Sequence, residues 1–283
     1  MSRTFEEQDG NEKHHEIAGA QSACEEGRGN QGADGQVDGE REEVRRRHAQ
    51  GARREESHDD PEEALTPPTN SVRASAIFVD YDGTITDVDT FDVLVRAAGG
   101  DDAWGELERE LAAGRISLRE ALRREAAMVR LTQPEALAFL ESRARVDPTF
   151  APFVETAHAR GAWVGVVSAG IRQVIGAALE RAGVDVPVFA NDVDFDPSGW
   201  RMTFIDDSMM GHDKAARVRA AREAGHHTVY VGDGISDFEG ALAAELRFAK
   251  KDRALERYCR ERGVECTPFS SFDEIAAALW GSA

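Results

Sequence analysis

The sequence predicts an α/β fold, namely a doubly wound, Rossmann-like parallel sheet with a small helical domain inserted after its first strand. From residue 148 onward, short apolar runs rich in Val and Ala alternate with helical segments, as in a parallel sheet with helices on both faces. Between residues 88 and 147, helical patterns follow one another with no strand between them. That stretch is too long for an ordinary crossover, so we expect it to form a separate lid.

The first seventy residues predict a tail and not a folded domain. They contain few Val, Ile, Leu, Met or Phe residues, and these show no helical or strand period. The pair Pro67-Pro68 closes the stretch as a stiff linker. We expect a disordered acidic tail at 1–72 that activity does not need, a core formed by 73–87 and 148–283, and a helical cap at 88–147.

Charge and cysteine content limit the classes of partner. With 53 acidic and 34 basic residues, the formal net charge is −19, which argues against a nucleic-acid surface. No apolar run approaches the ~18 residues of a membrane span. Cys24, Cys259 and Cys266 have the spacing of neither a disulfide framework nor a metal site, which favours a reducing compartment. We therefore expect a cytoplasmic monomer or homodimer that binds a small molecule, and neither nucleic acid nor a membrane.

The order of the elements follows from apolar stripes, glycines and prolines. Ser117 and Glu120 have the spacing of a capping box, and Gly99-Gly100, Gly114 and Pro134 mark helix boundaries. The insertion is predicted to contain helices at 90–98, 103–112, 117–130 and 133–144. The core is predicted to contain strands at 76–79, 162–167, 186–190, 228–231, 247–249 and 264–267, helices at 150–160, 171–182, 213–224, 235–244, 253–262 and 272–279, and a hairpin of 192–195 with 200–204. Five or six parallel strands are therefore expected.

The first strand ends in two carboxylates. The apolar run 76–79 stops at Asp80, and Asp82 follows two positions later. In open α/β sheets, ligands bind beyond the carboxyl ends of the strands. Side chains two apart on an extended chain point the same way, roughly 6.5 Å apart at ~3.3 Å per residue, so Asp80 and Asp82 can flank one reacting atom. The alternative is a strand-to-turn junction in which Asp82 and Gly83 only build the turn.

Two further segments offer groups that bind anions. The strand 162–167 runs into Ser168-Ala169-Gly170 at the start of a helix, where a hydroxyl and backbone amides favour an anion. As an isolated observation, Ser168 is better explained as an N-cap with a purely structural role. Lys214 opens another helix, where a cation is unfavourable unless an anion binds nearby. An isolated lysine at such a position is most often a surface residue.

Another pair of acids follows the strand 228–231. Asp233 lies between Gly232 and Gly234, which permit a tight turn, and Asp237 comes one helical turn later. Either acid alone is explained as a helix cap. In combination with the acids after the first strand, they supply the hard oxygen ligands that Mg²⁺ prefers.

These segments, in this order and in this strand context, resemble the four signatures of the haloacid dehalogenase superfamily, over residues 74–283. The resemblance to its phosphatase branch implies Mg²⁺-dependent hydrolysis of a small phosphorylated metabolite through an aspartyl-phosphate. It implies that Asp80 is the nucleophile and that Asp82 is the general acid and base. The implied phosphate-binding residues are Thr84, Ser168, Ala169 and Lys214, and the implied Mg²⁺ ligands are Asp80, Asp82, Asp233 and Asp237.

Within the superfamily, the position of the cap is similar to that of phosphoserine phosphatases. Asp89 stands where they carry a glutamate that meets the substrate ammonium, and Arg123 stands where they carry the arginine that binds the carboxylate. Two departures separate the chain from them. Asp89 is shorter than glutamate, and Ser168-Ala169-Gly170 replaces the usual Ser-Gly-Gly.

The hairpin with Trp200 and the C-terminal segment resemble more closely the methionine-salvage phosphatases that act on 2-hydroxy-3-keto-5-methylthiopentenyl 1-phosphate. That substrate is therefore the favoured expectation, and phosphoserine is the alternative. Where these relatives often carry cysteines, this chain has Met209-Met210-Gly211-His212. We interpret His212 and the pair Asp206-Asp207 as loop residues.

Two readings from other classes stay open at this point. A phospho-acceptor signalling module also has an Asp at a strand end of a doubly wound sheet, although the second acid at Asp82 and the helical insertion argue against it. A binding protein without activity is the other alternative, although every expected catalytic position is filled.

Overall fold

The computed structural model describes residues 75–281. Residues 1–74 and 282–283 lie outside that part, and so do the predicted tail and Cys24. No helix of residues 75–281 is both long and apolar enough to cross a membrane.

Seven strands form one sheet in the order β4-β3-β2-β1-β5-β6-β7. The strands are β1 (Ser75–Val79), β2 (Trp163–Ile171), β3 (Val188–Asp194), β4 (Arg201–Thr203), β5 (His227–Gly232), β6 (Leu246–Lys250) and β7 (Thr267–Phe269). Neighbours pair in parallel except β4, which runs antiparallel to β3. The doubly wound α/β fold is therefore confirmed, with six parallel strands and the predicted hairpin.

Ten α-helices are described in residues 75–281. They are α1 (Thr90–Gly99), α2 (Asp101–Ala112), α3 (Leu118–Ala126), α4 (Gln133–Glu141), α5 (Phe150–Ala159), α6 (Arg172–Arg181), α7 (Lys214–Glu223), α8 (Phe238–Ala243), α9 (Ala254–Glu261) and α10 (Phe272–Trp280). A 3₁₀ turn, Ile235–Asp237, precedes α8, so the helix predicted at 235–244 is split. The helices α1 to α4 all fall between β1 and α5, as the sequence predicts; they are called the insert below.

The helix α3 ends four residues earlier than predicted. Ser117 caps its start, accepting a hydrogen bond from the Glu120 amide at 3.2 Å. At its end, the Trp200 amide lies 3.1 Å from the carbonyls of both Ala126 and Val129. These acceptors are thereby used by the hairpin, which lies about seventy residues downstream, so the helix does not continue to residue 130.

The last strand and the cysteines also differ from expectation. The Val264 amide still donates to the Cys259 carbonyl (2.9 Å) at the end of α9, so the strand predicted at 264–267 begins only at Thr267. The same turn brings Cys259 and Cys266 together with Cα atoms 6.5 Å apart, and they form a disulfide. The expectation that the cysteines have no disulfide spacing is therefore wrong for this pair, because a helix end followed by a turn makes a separation of seven residues short in space.

Apolar side chains cover both faces of the sheet. On one face, β1, β2 and β5 pack against α5, α6 and α10, and on the other they pack against α7, α8 and α9. The strand β1 is central and its side chains from Ala76 to Val79 are at most 1% exposed. Burial on both faces is what its unbroken apolar run requires.

A third apolar cluster joins the insert to the hairpin. Phe91, Leu94 and Leu122 of the insert pack with Ile171 and Trp200. Trp200 is 1% exposed, and its indole nitrogen donates to the Leu131 carbonyl at 2.6 Å. The hairpin therefore holds the C-terminal end of α3 over the carboxyl edge of the sheet.

Candidate active site

The register of the central strands brings the predicted residues to one edge of the sheet. Val79 at the end of β1 pairs with Val231 of β5, and the Asp80 amide donates to the Val231 carbonyl at 2.9 Å. Ser168 lies in β2 two residues beyond Val166, which pairs with Val79, and Asp233 directly follows the end of β5. Parallel strands end at a common edge, so residues far apart in sequence meet there.

A buried ammonium lies between two of the carboxylates. Lys214 Nζ is 2.7 Å from Asp80 Oδ1 and 2.6 Å from Asp237 Oδ1, and Lys214 is 3% exposed. Burial alone would lower the pKa of Lys214, but the carboxylates of Asp237 and Asp80 outweigh it and hold this pKa above its usual value. Lys214 is thus a charged group of the site and not a surface lysine.

Asp237 is fully used by hydrogen bonds. Its Oδ1 accepts from Lys214 and from Tyr230 Oη at 2.8 Å, and its Oδ2 accepts from the amides of Asp233 (3.0 Å) and Gly234 (2.9 Å). Four donors on one fully buried carboxylate leave it little capacity for a further ligand. Asp237 therefore positions Lys214 and the turn that carries Asp233.

The acidic residues fit a cation. Oxygen atoms of Asp80, Asp233 and Asp237 lie within 4.8 Å of one another. Burial, followed by the charge of Asp237, raises the pKa of Asp80 and brings the pKa of Asp233 to about 6. One ammonium does not neutralise three carboxylates, and a divalent cation would remove the repulsion. Gly83 has φ +74°, and a Cβ there would overlap the Asp233 carboxylate.

Asp82 has one engaged oxygen and one open oxygen. Its Oδ1 accepts from the Thr90 amide (2.8 Å) and the Thr90 hydroxyl (2.7 Å) at the start of α1. Its Oδ2 faces Gly170, where a Cβ would lie 2.7 Å away, so the glycine makes room for it. Burial raises the pKa of Asp82, against the two Thr90 hydrogen bonds. Oδ2 is therefore the oxygen able to carry a proton.

Ser168 is held from two sides. Its hydroxyl accepts from the Gly170 amide at 2.9 Å, and its carbonyl lies 3.1 Å from His212 Nδ1. Burial lowers the pKa of His212 to about 4, so the ring is neutral, and the carbonyl acceptor requires the proton on Nδ1. His212 lies in a loop as predicted, but it is 3% exposed and positions the Ser168 backbone.

A cavity of about 310 Å³ lies over these groups. Of the predicted residues, its lining includes Asp80, Asp82, Asp89, Ser168, Ala169, Lys214 and Asp233. Thr84 is fully buried and donates to Asp233 Oδ1 (3.3 Å) instead. A larger cleft of about 760 Å³ shares Gly83 and Arg253 with this cavity but reaches neither Asp80 nor Lys214.

The structure does not bring Arg123 into the cavity. Both Nε and Nη2 of Arg123 donate to the Glu120 carboxylate at 2.8 Å on the exposed face of α3. Asp89 lines the cavity, but its Oδ1 caps α1 by accepting from the amides of Phe91 and Asp92, each at 2.9 Å. Arg123 therefore does not contribute to the cavity, whereas Asp89 lines it with one carboxylate oxygen engaged as a helix cap.

Sequence reasoning missed three acids that the insert adds to the cavity: Asp92 of α1, Glu108 of α2 and Glu125 of α3. They have no common motif or spacing. Only Glu125 carried a signal, because it falls on the buried stripe of α3 with Ala121, Leu122 and Ala126. An acid in an apolar stripe calls for an explanation.

The comparisons with known proteins agree with this geometry. The model of the haloacid dehalogenase-like hydrolase family matches residues 77–242, and the chain belongs to this family. Pdp3-interacting factor 1 of Schizosaccharomyces pombe is 33% identical over 210 residues, which cover 70% of this chain and 92% of that protein. The predicted recognition is therefore confirmed at the family level.

Two further relatives are named as phosphatases. Polyol phosphate phosphatase PYP1 of Saccharomyces cerevisiae is 29% identical, covering 72% of this chain and 92% of the relative. A 2-hydroxy-3-keto-5-methylthiopentenyl-1-phosphate phosphatase of an Exiguobacterium species is 27% identical, covering 72% and 97%. The predicted enzyme class, a phosphatase, is confirmed.

A solved phosphoserine phosphatase, bound as an analogue of its phospho-aspartyl intermediate, has the same fold. It superposes with a TM-score of 0.58 at 21% identity, covering 73% of this chain and 99% of that structure.

Proposed function

We propose that this chain is a Mg²⁺-dependent phosphomonoesterase that forms an acyl phosphate on Asp80, and that its substrate is a small polyol phosphate. The observation that carries the substrate class is the acidic lining contributed by the insert. The observation that carries the chemistry is the buried group of Asp80, Asp82 and Lys214 at one edge of the sheet.

In the first half of the reaction, an Asp80 oxygen attacks phosphorus and the bond to the leaving oxygen breaks. Asp82 Oδ2 donates its proton to that oxygen, which leaves as an alcohol. Lys214 and the Ser168 hydroxyl bind the phosphoryl oxygens and offset their charge, which is most of what phosphoryl transfer requires. In the second half, Asp82 takes a proton from water, the water oxygen bonds to phosphorus, and the bond to Asp80 breaks.

A metal ion fits the acidic end of the site. We propose that Mg²⁺ is held by the side chains of Asp80 and Asp233 and by the Asp82 carbonyl, with Asp237 behind them as a positioning residue. When bound, the ion would neutralise charge on the phosphoryl group and let an anionic carboxylate approach it. Burial, followed by the charge of Asp237, raises the pKa values of Asp80 and Asp233, and this repulsion, which a cation would offset, supports the assignment.

The insert is proposed to act as a cap that selects the substrate. A cavity of about 310 Å³ suits a small molecule better than a protein. On the insert side, no basic residue of the described chain lines it, which disfavours the carboxylate of phosphoserine. Asp92, Glu108 and Glu125 also match the methylthio tail of the methionine-salvage substrate poorly, since that tail gives them no hydrogen-bond donor.

Hydroxyl groups, by contrast, can satisfy carboxylates without adding charge. A polyol phosphate therefore agrees best with this lining, and one relative is named for such substrates. A phospho-acceptor module would have no use for the Asp82 proton donor or for a cavity of this size beside it. An inactive binding protein would have no reason to keep Asp80, Lys214 and Asp82 together.

A turnover screen tests the proposal. Ribitol phosphate, L-phosphoserine, the methionine-salvage phosphate and para-nitrophenyl phosphate are compared with Mg²⁺ and with chelator. We expect hydrolysis only with Mg²⁺, the highest kcat/KM for the polyol ester, and loss of all turnover in Asp80→Asn. Activity that survives Asp80→Asn or removal of divalent metal would overturn the mechanism. A higher kcat/KM for phosphoserine or the methionine-salvage phosphate would overturn the substrate class.

A further inference from the structure

Three acids of the insert lie near one another in the wall of the cavity. Asp92 comes from α1, Glu108 from α2 and Glu125 from α3, and all three line the cavity. Glu125 is 4% exposed. It lines the cavity together with the apolar side chains of Leu118 and Leu122.

Glu125 has no partner to account for its burial. Within residues 75–281, no hydrogen bond or ion pair joins its carboxylate to another group. Asp92 accepts from the Trp104 indole nitrogen at 3.0 Å, which engages only one of its oxygens. A buried carboxylate without a donor costs stability, so its retention at a cavity wall calls for a ligand that supplies the donor.

The same acids repel one another. Burial raises the pKa of Glu125 to about 7, and the charges of Asp92 and Glu108 add to the shift. Burial and Asp92 likewise raise the pKa of Glu108. Near neutral pH Glu125 is therefore partly protonated, so its carboxyl group can donate as well as accept hydrogen bonds. Hydroxyl groups need both.

The spacing of the three acids favours a chain of hydroxyl groups over a single cation as the ligand. In the described chain, the one trio of acids with oxygens all within 4.8 Å is Asp80, Asp233 and Asp237. Asp92, Glu108 and Glu125 are more spread and do not form a cage for one metal ion or one ammonium. Donors spaced along a carbon chain match such a set better.

We propose that Asp92, Glu108 and Glu125 form a hydroxyl-binding subsite, in which Glu125 accepts hydrogen bonds from the distal hydroxyls of a polyol chain whose phosphate lies at Asp80. Leu118 and Leu122 contact the carbon backbone between the two ends. This inference rests on the proposed phosphatase function and adds the residues that set its specificity.

The test uses substrates of equal length that differ only in the groups they present. These are ribitol 5-phosphate, n-pentyl phosphate and 5-aminopentyl phosphate, with para-nitrophenyl phosphate as a measure of the chemistry alone. The variants are Glu125→Gln and Glu125→Leu, with Glu106→Gln as the control, because Glu106 is exposed on α2. Circular dichroism and thermal unfolding check that each variant is folded.

We expect the wild type to prefer ribitol phosphate over pentyl phosphate by about tenfold or more in kcat/KM, because unmet buried acceptors penalise the alkyl chain. Glu125→Leu should remove this preference, Glu125→Gln should reduce it, and Glu106→Gln should keep it. Turnover of para-nitrophenyl phosphate should change less than about threefold in Glu106→Gln, and in the two Glu125 variants it should fall less than turnover of ribitol phosphate does.

Three results would overturn the subsite. They are an equal loss on every substrate in the Glu125 variants, an unchanged preference for ribitol phosphate in Glu125→Leu, or a higher kcat/KM for the aminopentyl ester than for the ribitol ester. Failure of the proposed function itself looks different, since it abolishes Asp80-dependent turnover of para-nitrophenyl phosphate in the wild type.

Discussion

Lys214 Nζ lies 2.7 Å from Asp80 Oδ1, so the cation proposed to bind the phosphate also holds the proposed nucleophile. The same ammonium is 2.6 Å from Asp237, which anchors it from behind. Asp80 and Lys214 are 134 residues apart, and both are almost completely buried. We therefore expect this ion pair to contribute both to the stability of the core and to the activity of the site.

Lys214→Met is expected to lower both the stability of the fold and the rate of turnover. Removing the ammonium leaves the Asp80 and Asp237 carboxylates buried without their partner, which should lower the free energy of unfolding by ~3–5 kcal/mol. Turnover should fall by at least about 10³-fold, because charge stabilisation at the phosphoryl group is lost. Urea unfolding at neutral pH and steady-state kinetics measure the two effects.

Lys251→Met is the matched control, because Lys251 is exposed on the turn after β6. It should change neither quantity measurably. If Lys214→Met were as stable as Lys251→Met, the buried ion pair would not have the role assigned to it.

Arg123→Ala is expected to leave substrate selection intact. The guanidinium pairs with Glu120 on the surface and lies outside the cavity lining. An exposed pair of this kind contributes at most about 1 kcal/mol to folding, and kcat/KM should change less than about twofold for phosphoserine and para-nitrophenyl phosphate alike. A selective tenfold rise in KM for phosphoserine would show that Arg123 reaches the substrate.

Trp200→Phe tests the contact between hairpin and insert. The substitution removes the bond from the indole nitrogen to the Leu131 carbonyl, which should cost about 1–3 kcal/mol of unfolding free energy. Trp280→Phe is the control, because within residues 75–281 its indole nitrogen makes no hydrogen bond and its ring packs on Phe153. Equal losses in the two variants would contradict the special role of Trp200.

Glu125 should also make stability depend on pH. Its pKa is raised from 4.5 to about 7, so the folded protein holds a proton that the unfolded chain releases above about pH 4.5. The free energy of unfolding should therefore decrease as the pH rises from about 4.5 to 7, by up to about 3 kcal/mol from this residue. Unfolding in urea at several pH values without substrate measures the slope.

Glu125→Gln should flatten that slope and stabilise the protein at about pH 8, whereas Glu155→Gln, at an exposed position of α5, should leave it unchanged. A slope that is the same in wild type and Glu125→Gln would mean that Glu125 titrates normally in the folded protein.

Much of the site was predictable because parallel strands end at one edge. Apolar runs that stop at Asp80, Ser168 and Asp233 had to bring these residues together once the sheet formed. The helix that begins at Lys214 adds its side chain to the same edge. An apolar run that marks a strand and the point where it ends thus predicts well where the residues that follow the strand will lie.

The insert was less predictable because its packing sets its contacts. The end of α3 depends on the Trp200 amide, which no local pattern indicates. Asp92, Glu108 and Glu125 meet only because three helices pack against one another. The resemblance to phosphoserine phosphatases predicts that Arg123 meets the substrate, although its spacing from Glu120 is that of a surface pair on one helix turn.

The most direct test of the mechanism is the site of the phosphoryl group in Asp82→Asn. This variant keeps the nucleophile but lacks the proton donor and base, so turnover should slow by about 10²–10⁴-fold and the phosphoenzyme should accumulate. The variant is incubated with radiolabelled phosphomonoester and Mg²⁺, quenched in acid and digested. Peptide mapping then locates the label, and Asp80→Asn serves as the control. We predict label on Asp80 in Asp82→Asn and none in Asp80→Asn; label on any other residue would contradict the assignment of Asp80 as the nucleophile.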